Sequence, residues 1–163
     1  MPFTQIPTLD PTSCRVRQDA LRNLLAEQNL DAALLVNRHY VHALTGYWHQ
    51  QPLTLAAVLV PREGNIFLAA PGDSLDAPAA DEHIPYDPQE LCTLVEDIPA
   101  RLSKALGPAL TPYLRIATTG RVLTALAGSA KWVDISCAYQ VLRRKKDPDE
   151  IAILRHSIRA AEA

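Results

Sequence analysis

Five consecutive apolar residues, Ala32-Ala33-Leu34-Leu35-Val36, stand between Asp31 and Asn37, directly after an amphipathic segment. A strand of that composition has no polar face to offer water, so it belongs in the middle of a sheet covered on both sides. The segment before it supplies one covering layer. Val16, Ala20, Leu21, Leu24 and Leu25 recur at helical spacing, while Arg15, Arg17, Arg22 and Glu27 fall largely off that face. Asp10 and Ser13 are both good N-caps and Pro11 suits a first turn, so the helix starts there and has run out by Asn29.

The rest of the chain continues the alternation. Asn37 to Leu44 reads as one or two helical turns, closed by Gly46 in a positive-φ conformation. Leu53 to Val60 and Ile66 to Ala70 read as two strands of a hairpin, joined by Pro61-Arg62-Glu63-Gly64-Asn65. Pro71 to Ala80 reads as loop and His83 to Tyr86 as a brief strand. Gln89 to Leu106 has helical spacing that Pro99 must kink or interrupt. Leu114 to Ala117 and Trp132 to Ile135 are short strands, Arg121 to Ala127 a short helix, and Ala138 to Arg144 the start of another. Asp147-Pro148-Asp149-Glu150 carries a cap, a first-turn proline and a capping-box glutamate, followed by Ile151, Leu154, Ile158 and Ala161 on one face. The helical pattern is still running at Ala163, which reads as a domain trimmed in mid-helix. The fold class that follows is α/β, a mixed sheet flanked by helices.

Composition narrows the function. A chain of 163 residues suits one domain with its own core. With 16 basic against 18 acidic residues, nothing favours nucleic acid or an anionic membrane as partner. The longest apolar stretch, Leu53 to Val60, is too short to span a bilayer, and the first residues lack the pattern of a secretory signal. Cys14, Cys92 and Cys137 are odd in number and form no C-x-x-C pair, which fits a reducing cytoplasm.

The residues also resemble a known family. Arg15-x-Arg17, Leu21-Arg22-x-Leu24-Leu25, Asp31-Ala32-x-Leu34-Leu35-Val36-Asn37 and Leu44-Thr45-Gly46-Tyr47 follow in order and spacing the opening of creatinase/prolidase N-terminal domains. Val58-Leu59-Val60-Pro61-x-x-Gly64 with Phe67 is similar to that domain's hairpin. Arg115-Ile116 and Val133-Asp134 are similar to its later strands. Leu142-Arg143-x-x-Lys146-x-Pro148-x-Glu150-Ile151-x-x-Leu154-Arg155 resembles the linker and first helix leading to a catalytic domain. Asp76 to Gln89 departs from the pattern except for Tyr86-Asp87.

The resemblance implies a ribonuclease H-like, non-catalytic domain over residues 1–145, with 146–163 as linker and start of the next helix. It implies a following catalytic domain of pita-bread fold, absent from this chain, holding two divalent metal ions (Mn, Co or Zn) and hydrolysing Xaa-Pro peptides or related C–N bonds. This chain itself is then expected to carry no catalytic residue, metal ligand or cofactor. Its partners are its own C-terminal catalytic domain and a second copy in a homodimer, with no role for nucleic acid or membrane. The loop Tyr47-Trp48-His49-Gln50-Gln51-Pro52 matches by position a family loop that reaches from one subunit toward the active site of the other. That makes Tyr47, Trp48 and His49 candidate contributors to the partner's substrate pocket. The alternative is a surface loop with Trp48 packed into the core.

Three other clusters have duller explanations. His39-x-x-His42 with His49 nearby suggests zinc, but a tetrahedral site wants four N or S ligands, and polar residues on an exposed turn account for the pattern. Asp10, Asp31 and Asp134 invite a nuclease reading, yet Asp31 and Asp134 fit better as strand terminators bonded to nearby backbone. Arg143-Arg144-Lys145-Lys146 reads as a solvated helix end, where cations meet the negative pole of the dipole.

Two function classes stand. One is an accessory domain of a metal-dependent Xaa-Pro peptidase, or of a creatinase-like or ectoine hydrolase-like amidohydrolase. The other is a stand-alone binding or interaction domain. In either, the stripe Ile151, Leu154 and Ile158 is expected to lack cover within this chain, and to fray or self-associate.

Overall fold

The computed structural model describes residues 7–49, 54–72, 79–87, 98–120 and 130–162. Helix α1 spans Pro11–Glu27, followed by strand β1, Ala32–Leu35, and helix α2, Arg38–Thr45. Strands β2 (Ala57–Pro61), β3 (Phe67–Pro71) and β4 (Glu82–Tyr86) come next, then α3 (Ile98–Leu110) and β5 (Arg115–Thr118). Strand β6 (Lys131–Asp134), α4 (Ser136–Leu142) and α5 (Pro148–Ala161) complete the described elements.

The apolar run lies where its composition requires. Within the described residues the sheet order is β4-β3-β2-β1-β5-β6, so β1 is internal, and all four of its residues are buried. It pairs antiparallel with β2 and parallel with β5. The β2–β3 hairpin is antiparallel, while β3–β4 and β5–β6 are parallel, giving the mixed sheet expected. Strand alternation sends Ala33, Leu35, Val58, Val60 and Leu68 to one face, against Leu21 and Leu25 of α1, Val41 and Leu44 of α2 and Tyr139 of α4. Ala32, Leu34, Ala57, Leu59 and Ile116 go to the other face, against Leu102 and Leu106 of α3.

Local signals placed most boundaries. Asp10 caps α1, accepting from the Thr12 and Ser13 N–H groups. Gly46 ends α2 at φ +77°, and Gly64 in the hairpin turn sits at φ +98°. Strand β2 begins only at Ala57 because the residues ahead of it are otherwise engaged. Leu55 exchanges both backbone groups with the Tyr86 hydroxyl, and Thr54 bonds His49. Pro99 lies in the first described turn of α3; residues 88–97, the expected helix over Arg121 to Ala127 and Cys92 fall outside the described residues.

Two expectations for α1 need correction. Val16 is 59% exposed, whereas Arg17 is only 5% exposed. The buried face runs through Cys14, Arg17, Gln18, Leu21 and Leu25, a stripe rotated from the one drawn through Val16 and Ala20. Arg17 can occupy it because carboxylates about 130 residues away in the chain supply its counter-charges.

Candidate functional site

The loop after α2 grows from a short helix whose start and end are both fixed. The Asn37 side chain accepts the His39 N–H at 2.9 Å, and the Gly46 N–H returns to the His42 carbonyl at 2.8 Å. Thr45, fully buried, donates its hydroxyl to the Val41 carbonyl at 2.7 Å and accepts the Tyr47 N–H at 3.1 Å. The backbone therefore enters the loop in one defined direction.

The three candidate residues take different roles. His49 turns inward and is 4% exposed. Its Nδ1 lies 3.2 Å from the Tyr47 hydroxyl, and its Nε2 lies 2.9 Å from Thr54 Oγ1 and 3.0 Å from the Thr54 carbonyl. Tyr47 is partly buried against the core, and this burial pushes its phenol pKa up. Trp48 turns outward, 42% exposed, which removes the alternative of a core-packed tryptophan. Its indole rests on the ring of His42 at 5.2 Å, edge-on, and on that of His39 at 5.6 Å. What the surface offers is one aromatic plate backed by two imidazoles.

Both nitrogens of His49 are engaged within the loop, while the rings of His39 and His42 pack against Trp48. Among the described residues no three His, Cys, Asp or Glu side chains are placed to hold a metal ion together. His42 is half-buried rather than on an exposed turn. Burial first, then the charges of Arg17 and His39, hold its pKa below the usual histidine range.

The nuclease reading finds its carboxylates dispersed. Asp31 accepts the Leu114 and Arg115 N–H groups, and Asp134 accepts the Ser136 N–H, so both bond backbone as expected of strand-end residues. Asp10 is the α1 cap. In the basic run, Arg143 is not simply solvated, since it pairs with Glu150.

Sequence reasoning missed Arg17. Its Nε donates to the Ala43 carbonyl at 2.7 Å, NH1 to Asp147 at 3.0 Å and Asp149 at 3.1 Å, and NH2 to Asp149 at 3.1 Å. The Cys14 sulfur lies 3.3 Å from NH2, and Glu150 3.6 Å from NH1. Burial works against this cation, but the bonds from Asp149 and Cys14 outweigh it and its pKa is raised. For Asp149, burial is outweighed by the Arg17 bonds and the carboxyl is held below its usual range. The available signal was positional: Arg17 is three residues after Cys14 and four before Leu21, on the face that turns inward.

Comparison with known proteins places this geometry in context. The Creatinase/Prolidase N-terminal domain family matches residues 17–144. Among solved structures, the N-terminal domain of the cytoplasmic peptidase PepQ from Mycobacterium tuberculosis is similar at TM-score 0.56 and 23% identity, over 78% of this chain and 98% of that one. The dipeptidase PepE from Mycobacterium ulcerans is similar at TM-score 0.60 and 18% identity, over 88% of this chain. The Xaa-Pro dipeptidase from Bacillus anthracis is similar at TM-score 0.61 and 14% identity, over 86% of this chain. The chain spans 40% and 39% of the length of these last two proteins. No curated protein matches.

Proposed function

Because the chain belongs to the creatinase/prolidase N-terminal domain family, we propose that it is the non-catalytic N-terminal domain of a metal-dependent Xaa-Pro peptidase acting in the cytoplasm. On this reading residues 1–145 form the domain and 146–163 lead into a catalytic domain that holds two divalent metal ions. The family match over residues 17–144 carries the proposal. The similarity to peptidases more than twice as long supports the idea of a larger partner domain.

Helix α5 fits the same reading. None of its residues is buried, and Leu154 and Ile158 are 50% and 57% exposed. An apolar stripe of that kind suits cover from a following domain. No described helix is long and apolar enough to cross a membrane.

The domain's own contribution is to support a homodimer and to shape the partner subunit's substrate pocket. Trp48 is the residue best placed for it, exposed and held on the rings of His39 and His42, with Tyr47 and His49 fixing the loop from beneath. A flat aromatic backed by imidazoles is a suitable wall for a proline ring.

The first test is to read the coding sequence beyond the codon for Ala163. A second domain bearing Asp, Asp, His, Glu and Glu in that order supports the proposal. The full-length protein with Mn²⁺ should then hydrolyse Xaa-Pro dipeptides. Trp48→Ala should raise KM about tenfold, consistent with loss of about 1.4 kcal/mol of substrate contact. An immediate stop codon would remove the hydrolase reading and leave a free-standing binding domain. Unchanged kinetics in Trp48→Ala would remove the pocket role alone.

A further inference from the structure

Helix α5 is formed with little apolar packing. Among the described residues, its contribution to an apolar cluster is Ile153, against Leu9, Cys14 and Ala79. Fourteen residues without a buried face make a marginal helix in water, so burial does not explain what holds it. The polar contacts do. Arg17 reaches Asp147 and Asp149, the Asp10 N–H reaches Asp149 at 3.1 Å, and Arg143 pairs with Glu150. All of these bonds fall within residues 147–150, the cap and first turn. Glu150 also accepts the Asp147 N–H at 3.3 Å, the return half of the capping box, so the helix start and the ion pairs are built from the same carboxylates.

We propose that Arg17, with Asp147 and Asp149, forms a latch that fixes α5 to the domain by its first turn, and that opening the latch frees α5 without unfolding the α/β body. The arginine is well seated for this role. Its Nε is already bonded to the Ala43 carbonyl of α2, and the neighbouring Gln18 donates to the Leu44 and Ala79 carbonyls at 2.6 and 2.7 Å. The guanidinium fork is thereby aimed before α5 arrives, and bidentate geometry toward Asp149 sets the helix's direction as well as its position. The same side chain ties α5 to α2, the helix carrying the two histidines beneath Trp48. The second charge pair, Arg143 with Glu150, lies beside the latch but leaves Arg17 as the sole bridge from α1 among the described ion pairs to α5.

Hydrogen exchange read by mass spectrometry on this chain tests the latch from both sides. In one variant Asp147→Asn and Asp149→Asn are combined; in the other Arg17→Met keeps the buried stem and removes the charge. Exchange in residues 148–161 should rise at least tenfold in both, while β1, β2 and β5 keep their protection. Unchanged exchange of α5 in either variant overturns the proposal, as does an α5 already unprotected in the unaltered chain. So does a rise in the sheet strands that keeps step with α5, since the helix would then belong to the cooperative core.

Discussion

Asp31 and Arg115 clamp the middle of the sheet from both directions. The Asp31 carboxylate accepts the Arg115 N–H at 2.9 Å while the Asp31 N–H donates to the Arg115 carbonyl at 2.9 Å. The same carboxylate takes the Leu114 N–H, and the Asp31 carbonyl takes the Arg62 N–H at 2.8 Å. One residue thus starts β1, aligns β5 and fastens the end of β2. The Arg115 amide, partly offset by burial and helped by the Leu114 amide, holds the Asp31 carboxyl below its usual range.

Asp31→Ala removes two charge-assisted bonds at partly hydrated amides and should cost about 2 kcal/mol. The melting temperature should fall by roughly 4–8 °C, given a few degrees per kcal/mol at this size. Asp31→Asn, which keeps an acceptor oxygen, should lose less. The sign with pH follows from the depressed carboxyl. Its contribution is complete above the unfolded carboxylate range and is lost as pH falls through the lower folded value. A thermal scan of wild type and Asp31→Ala from pH 7 to pH 2 should show the two curves converging in acid. A constant gap between them would refute the account.

The contact of His42 with Trp48 gives the surface loop a spectroscopic handle. The chain has two tryptophans, so Trp132→Phe isolates the signal of Trp48. An imidazolium quenches a neighbouring indole more strongly than neutral imidazole. Because burial and the charges of Arg17 and His39 lower the His42 pKa, the quenching step should fall below the usual histidine range. The unfolded chain takes up this proton first as pH drops, so stability should decline between the ordinary histidine value and the folded one. Measured in a His39→Gln background, so that His42 is the one imidazole left of the two that pack on the indole, His42→Gln should abolish the step. A step at or above the ordinary value would contradict the buried contact.

The sheet was legible because its strands are written in local chemistry. Ala32 to Val36 needed no partner to be identified as central, and Gly46 and Gly64 marked positive-φ turns that any single sequence reveals. Arg17 was not legible, since what makes a buried arginine tolerable lies at Asp147 and Asp149 and arrives only through tertiary packing. Its burial also turns the covered face of α1 away from Val16, which apolar spacing alone groups with Leu21 and Leu25. The loop was located by its crowding of aromatics, yet the division of labour within it was hidden. Sequence alone does not say that His49 turns inward to Thr54 while Trp48 turns out.

Two buried tyrosines should respond oppositely to the same change. The Tyr86 hydroxyl accepts the Leu55 N–H at 3.1 Å and donates to the Leu55 carbonyl, so Tyr86→Phe strands two backbone groups. The expected cost is about 1–2 kcal/mol. Tyr139 is fully buried, edge-on to Tyr40 at 4.8 Å, and its hydroxyl has no hydrogen-bond partner among the described residues. Burial pushes that phenol pKa well up, the mark of a polar group desolvated without compensation. Tyr139→Phe keeps the ring packing and discards the stranded hydroxyl, so it should be neutral or stabilising by about 1 kcal/mol. Urea denaturation of the two variants, at matched m-values, measures both signs. A loss of stability in Tyr139→Phe comparable to that in Tyr86→Phe would mean that its hydroxyl is satisfied in solution, and the argument from its burial would fail.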